Sequence, residues 1–183
     1  VLSAANLQRA WKRVKANRGA PGMNAMSIDD FPAFKGRHWE RIQSDLRNGT
    51  YRPAPVRRVF IDKPDGTQRP LGIPTVLDRV IQQAISQVLT PLYDPEFSDH
   101  SYGFREGRSA HQAVRTLEAA WKQKRRHAVD CDLKSFFDTV DHERLMARLR
   151  QKIGGGVLLR LIGRYLRAGV VMPDGTREAT PCG

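Results

Sequence analysis

The hydrophobic period of this chain changes along its length, and loops that no helix crosses separate the changes. Leu7, Ala10, Trp11 and Val14 recur at helical spacing between Asn6 and Lys15. Asn17-Arg18-Gly19-Ala20-Pro21-Gly22 then supplies a Gly/Pro loop that ends the helix. Ser27-Ile28-Asp29-Asp30-Phe31 reads as a helix start, and another helix is expected from about His38 to Arg47, ending at Asn48-Gly49. From Pro55 to Ile61 the residues become β-branched. Lys63-Pro64-Asp65-Gly66-Thr67 is a turn signal, and Gln68-Arg69-Pro70-Leu71 follows, so a β-hairpin is expected. Helical spacing resumes from Thr75 to Leu89, with Val76, Val80, Ala84, Ile85 and Val88 on one face. A loop holding Tyr93, Pro95 and Phe97 leads into Ser101 to Ser109, and a helix is expected from about Ala110 to Lys122. His127 to Leu133 reads as a short buried strand. Asp141 reads as the N-cap of a helix from His142 to about Lys152. A helix over Val157 to Leu166 and a hairpin turning at Pro173-Asp174-Gly175 complete the pattern. Helices mixed with hairpins, and little βαβ alternation, point to an α+β fold.

The 183 residues hold 31 Lys and Arg against 19 Asp and Glu, a formal net charge of +12. A surplus of that size points to a polyanionic partner, because neutralised phosphates release their condensed counterions. A generally basic soluble protein is the plain alternative. The apolar fraction of 40% is enough to fill a core. No apolar run approaches the roughly 20 residues that span a bilayer, and Val1 to Ala16 lacks the apolar segment of a signal peptide, so no membrane partner is expected. Cys131 and Cys182 form no metal-like or disulfide-like spacing, which fits a reducing, bacterial-type cytoplasm.

The densest chemistry lies in Asp130-Cys131-Asp132-Leu133-Lys134-Ser135-Phe136-Phe137-Asp138. On a strand, Asp130 and Asp132 would share one face and Val129, Cys131 and Leu133 the other. A carboxylate at the end of an apolar strand is costly to bury without compensation. Mg²⁺, which takes hard oxygen ligands, is one compensator. Solvation, or pairing with nearby Lys and Arg, is the alternative.

This segment resembles the first catalytic motif of reverse transcriptases in its group II intron form. Other segments resemble further motifs of that family, in order. Asn17 to Gly22 is similar to the amino-terminal extension motif. Lys63-Pro64-Asp65-Gly66, with Arg69 to Thr75 and Asp78 to Ala84, is similar to the fingers motif. Ser101-Tyr102-Gly103-Phe104-Arg105 with Gly107-Arg108-Ser109 resembles the next, and Thr180-Pro181 with Gly183 the opening of the motif that usually reads Thr-Pro-Gln-Gly. The resemblance spans nearly the whole chain. It implies a right-hand polymerase: fingers plus the front part of the palm, with an incomplete palm sheet. Residues 1–50 would be the amino-terminal extension with its template-contacting loop, 51–122 the fingers, and 123–183 the partial palm.

The same resemblance assigns roles. Asp132 would be the first metal-binding carboxylate, and the backbone carbonyl of Leu133 would help to hold one of two Mg²⁺ ions in the complete site. Lys63 and Arg69, on opposite arms of the hairpin, would clamp the phosphates of a deoxynucleoside triphosphate, Arg as a fork and Lys as a compact charge. The N–H groups around Ser135 and Phe136 would add donors. Phe137 would be the gate against a 2′-hydroxyl, with Phe136 turned into the core. Asn17, Arg18, Gly19, Arg105 and Arg108 would contact RNA template or intron RNA through its backbone. A DNA primer completes the expected partners.

Two departures from the motif stand out. Asp62 takes the place of a usual Pro, and Cys182 that of the usual Gln, without its amide hydrogen bonds. No Tyr-X-Asp-Asp or Phe-X-Asp-Asp box occurs before Gly183, and the chain stops without a tail. The expectation is therefore a fragment that lacks the second catalytic box, thumb and maturase region and does not polymerise alone. Its exposed apolar surface would favour self-association, as a dimer for example. The full protein would assist intron splicing and mobility. Two alternatives stay open: a degenerate copy acting only as an RNA-binding splicing factor, and a reverse transcriptase of a diversity-generating, defence or CRISPR-linked system.

Overall fold

The computed structural model describes residues 1–182. Gly183, and with it the last position of the Thr-Pro-X-Gly resemblance, lies outside them. The chain divides into two compact units: Val1–Gln87 together with Ser135–Gly183, and Val88–Lys134.

The first unit opens with helix α1, Ala4–Ala16, capped by the Ser3 hydroxyl on the Asn6 N–H at 3.4 Å. Leu7, Ala10 and Val14 are its buried face, as the spacing predicts. Helix α2, Phe31–Asn48, differs from the sequence expectation. It is one 18-residue helix with Pro32 in its first turn, where an expected helix start and a separate helix from His38 fuse. Pro in a first turn lacks only an N–H that would go unbonded there, so it starts a helix rather than breaking one. Gly36 is exposed, and one Gly in a long helix costs only about 1 kcal/mol. Gly49 closes α2 in the left-handed region at φ 70°. Trp11 of α1 packs on Phe31 of α2, with ring centroids 4.7 Å apart.

Strands β1, Val56–Asp62, and β2, Gln68–Ile73, form the expected antiparallel hairpin, in register from Arg57↔Ile73 to Asp62↔Gln68. Helix α3 covers Val76–Tyr93 and begins in the first unit, where Val76, Val80, Ile81, Ala84 and Ile85 make the centre of the core. Buried Asn6 of α1 donates to the Ala84 carbonyl at 2.9 Å, so its amide is not left unmet.

Helices α5, His142–Arg150, and α6, Gly156–Leu166, also lie in the first unit. Asp141 caps α5 through the Arg144 N–H at 2.9 Å, as expected. Two short strands follow, β3 (Val170–Val171) and β4 (Arg177–Glu178). The sheet runs β2-β1-β3-β4, and β1 with β3 is its parallel pair. The α+β reading holds.

In the second unit, α3 runs past Leu89 and through Pro91 to Tyr93, and a single 3₁₀ turn covers Asp94–Glu96. Helix α4, Ala110–Lys122, starts with a capping box between Ser109 and Gln112. The strand expected over His127 to Leu133 is not formed. The segment is irregular and exposed, with Val129 at 89% and Leu133 at 70% exposure. A strand exists through ladder hydrogen bonds to a neighbour, and no described strand pairs with this segment.

Candidate nucleotide and nucleic-acid site

On the β1–β2 hairpin, residues directly opposite share a face, and alternate residues along one strand share it too. Ile61 faces Arg69 in the register, and the Lys63 N–H continues the ladder to the Thr67 carbonyl at 2.8 Å. Lys63 and Arg69 therefore stand on one face as diagonal neighbours. Both are exposed, and neither forms an ion pair among the described residues. The turn between them is fixed by Asp65, whose carboxylate accepts from the Thr67 N–H at 2.9 Å and hydroxyl at 2.6 Å. Those bonds hold the Asp65 carboxyl below the usual range. Asp62, the departure from the usual Pro, lies on the opposite face and accepts from the Gln68 amide at 2.9 Å. Sequence reasoning missed Arg57, which shares the face of Lys63 and Arg69 by strict alternation. Its Nε is buried and without a hydrogen-bond partner.

The loop after α1 is held against the start of α3. Arg79, also missed, donates through Nη2 to the carbonyls of Gly19 at 3.4 Å and Ala20 at 2.9 Å. The guanidinium needs Gly19 to lack a side chain: a Cβ there would stand 2.1 Å from Nη1. A Cβ on Gly22 would stand 2.7 Å from the backbone of Thr75. Burial lowers the pKa of Arg79, yet arginine keeps its charge. Arg18 holds a left-handed backbone at φ 44°, and Asn17 and Arg18 are exposed.

In the first turn of α3, Asp78 collects a group of donors, two of them from the segment just before β1. Its carboxylate, 1% exposed, accepts from the hydroxyls of Tyr51 at 2.8 Å, Tyr165 at 3.0 Å and Thr75 at 2.6 Å, and from the Ala54 N–H at 3.3 Å. Burial first, and then the adjacent carboxylate, push both tyrosine hydroxyls far above their ordinary pKa. This cluster ties the root of the hairpin to α3 and α6.

In the second unit, Arg105 grips Asp94 with two bonds, at 2.8 and 3.1 Å, and donates to the carbonyls of Ser98 at 2.7 Å and Ser101 at 3.1 Å. Its side chain is 8% exposed, so the guanidinium braces its own loop instead of reaching outward. The same contact holds the Asp94 carboxyl below the usual range. Arg108 donates to the carbonyl and carboxylate of Asp99 and retains 30% exposure.

Asp130 and Asp132 are exposed and form no ion pair among the described residues. Their shared strand face does not exist, because the strand does not. No group of three acidic, His or Cys side chains that could hold a metal occurs among the described residues. Asp132 and Leu133 offer hard oxygen donors, which suit Mg²⁺. Asp132 belongs to the second unit, whereas Ser135, Phe136 and Phe137 belong to the first. Ser135 takes φ 51°, and its carbonyl accepts from the N–H groups of Asp138 and Thr139 at 3.0 and 3.1 Å. Phe136 is 50% and Phe137 80% exposed, with rings edge to face at 5.3 Å. Phe136 is thus not the core residue expected, since neither ring finds a covering layer.

No helix among the described residues is long and apolar enough to cross a membrane.

The family model described as reverse transcriptase (RNA-dependent DNA polymerase) matches residues 61–175. Protein YkfC of Escherichia coli is 34% identical over 169 residues, covering 89% of this chain and 44% of that protein. The group II intron-encoded protein LtrA of Lactococcus lactis is 37% identical over 161 residues, covering 87% of this chain and 26% of that protein. This chain thus spans less than half the length of these relatives. A chain of a structure titled "Partial Cas6-RT-Cas1--Cas2 complex" superposes with a TM-score of 0.55 at 22% identity, covering 98% of this chain and 31% of that one. That likeness speaks for the fold.

Proposed function

This chain belongs to the reverse transcriptase (RNA-dependent DNA polymerase) family, and we propose that it is the fingers and front of the palm of a group II intron-type enzyme. On this reading 1–50 is the amino-terminal extension, 51–122 the fingers and 123–183 the start of the palm. The observation that carries the reading is the pair of exposed cations Lys63 and Arg69, without an ion pair among the described residues, on one face of the β1–β2 hairpin. Two fixed charges at diagonal spacing suit the β- and γ-phosphates of a deoxynucleoside triphosphate, and Arg57 adds a third on the same face. The N–H groups of Ser135 and Phe136 are further donors, and the exposed ring of Phe137 is the surface on which a sugar would rest.

Asp132, with the Leu133 carbonyl, would hold Mg²⁺, which supplies charge stabilisation at the reacting phosphate when bound. Template RNA would run along the Asn17–Gly22 loop, with Arg18 free to meet phosphates. Arg108 is the second candidate contact, and the geometry of Arg105 favours a bracing role for it. The full protein would pair an RNA template with a DNA primer, assist splicing of its intron RNA and work in the cytoplasm.

The test is primer extension on an RNA template with Mg²⁺, using the full reading frame beside its Asp132→Ala variant. Extension by the parent and loss by several orders of magnitude in the variant are expected, with no extension by residues 1–183 alone. An inactive parent that still binds intron RNA would replace this reading with the splicing-factor one.

A further inference from the structure

A cleft of about 590 Å³ lies along α5 in the first unit, and no residue of the β1–β2 hairpin or of the Asn17–Gly22 loop lines it. Buried Met146 is among its lining residues. Arg144, Arg150 and Arg167 line it, and Glu143 is its one carboxylate. The three guanidiniums are exposed and form neither ion pairs nor side-chain hydrogen bonds among the described residues. Arg105 and Arg108 show that arginines of this chain do pair where an acid stands within reach. Arg167 folds back over Gly163, where a Cβ would come within 3.2 Å of its Nη2, so the bare glycine leaves room for that placement.

We infer that this cleft is a second nucleic-acid contact, taking the phosphodiester backbone of an RNA helix. Three like charges facing one opening repel one another until an anion sits among them. A single small anion fits less well than a polymer. Arg144 and Arg150 are six residues apart on α5, roughly 9 Å along the axis at the helical rise. That spread reaches more than one phosphate. An A-form duplex presents such a row, and basic side chains read it without sequence preference. A strand held here would give the protein a grip on RNA that does not pass through the nucleotide site.

The experiment measures binding of this chain to a labelled RNA duplex by fluorescence anisotropy across a salt series. The triple variant Arg144→Gln/Arg150→Gln/Arg167→Gln is compared with Lys35→Gln/Arg37→Gln/Arg47→Gln, three exposed cations of α2 whose loss changes the net charge equally. Each lost phosphate contact lowers the slope of log K against log salt by roughly 0.9. The cleft variant is expected to lose roughly two to three units of slope and at least about tenfold in affinity, with the α2 variant close to the parent. Equal losses in the two variants, or none in the cleft variant, overturn the proposal, as does full competition by inorganic phosphate at equal phosphate concentration. Circular dichroism checks that each variant is folded. The readout is RNA binding and not primer extension, so failure of the polymerase reading leaves this result standing.

Discussion

Asp78→Ala sets two large opposing effects against each other. A buried carboxylate with no cation beside it costs several kcal/mol of desolvation, and taken alone that term makes its removal stabilising. Against this, four donors converge on it: the hydroxyls of Tyr51, Tyr165 and Thr75 and the N–H of Ala54. A hydrogen bond to a charged group contributes about 1.5–3 kcal/mol, and each donor left buried without an acceptor costs about 1–3 kcal/mol. Thr75 can turn its hydroxyl elsewhere, which leaves three donors stranded. Allowing for non-additivity within one network, the net loss is about 4 kcal/mol. For a chain of this size 1 kcal/mol corresponds to about 2–4 °C, so Tm should fall by roughly 8–16 °C.

The assay is thermal unfolding followed by tryptophan fluorescence, which reports on the first unit through Trp11 packed on Phe31. Tyr165→Phe, which removes one donor and leaves the carboxylate three, should lower Tm by only about a quarter as much. Combined with Asp78→Ala it should add almost nothing. A fall of less than about 2 °C in Asp78→Ala would show that desolvation outweighs the donors and that the cluster does not anchor the hairpin.

The Tyr51 and Tyr165 hydroxyls have pKa values raised in the folded state, so their contribution to stability is complete below the free value of about 10 and is lost as pH rises above it. Alkaline unfolding should therefore be cooperative with the appearance of tyrosinate absorbance from those two residues, and gradual titration of all four tyrosines before unfolding would contradict it. Gly19→Ala should displace the Arg79 guanidinium, freeing the Asn17–Gly22 loop; faster amide exchange in that loop with little change in Tm is expected, and unchanged exchange would refute the Arg79 contact.

Much of the first unit was legible because its signals are local. The α1 face, the Asp65-Gly66 turn and the Asp141 cap each depend on residues within one or two turns of chain. Where the sequence misled, the deciding partner was distant. The parallel pairing of Val56 with Val170 joins strands too short, on the β3 side, to carry a period. The residues from 127 to 133 have strand-like composition, but a strand also needs a neighbour. Asp78 reads locally as an ordinary acid in a first helical turn; three of its donors come from 24, 27 and 87 positions away. Arg79 looked like any helix-surface cation until the loop carbonyls were seen to lie over it.

The motif residues separate by what their polar atoms are already doing. Thr75, Asp78, Arg79 and Arg105 are engaged within the chain, each holding a loop or a hairpin root. Lys63, Arg69, Arg18 and Asp132 are exposed and make no ion pair among the described residues. Asp78, buried and charged, would destabilise the fold without its donors, and Thr75, Arg79 and Arg105 are tied down by their internal hydrogen bonds, so folding holds the first set in place. An exposed unpaired charge contributes little to folding, and nothing in the fold requires Lys63 and Arg69 to share a face. Substituting Asp78 should therefore show in Tm, substituting Arg79 or Arg105 in the amide exchange of the loops they hold, and substituting the second set in ligand affinity. That separation would assign each motif residue to the scaffold or to the site without reference to any relative.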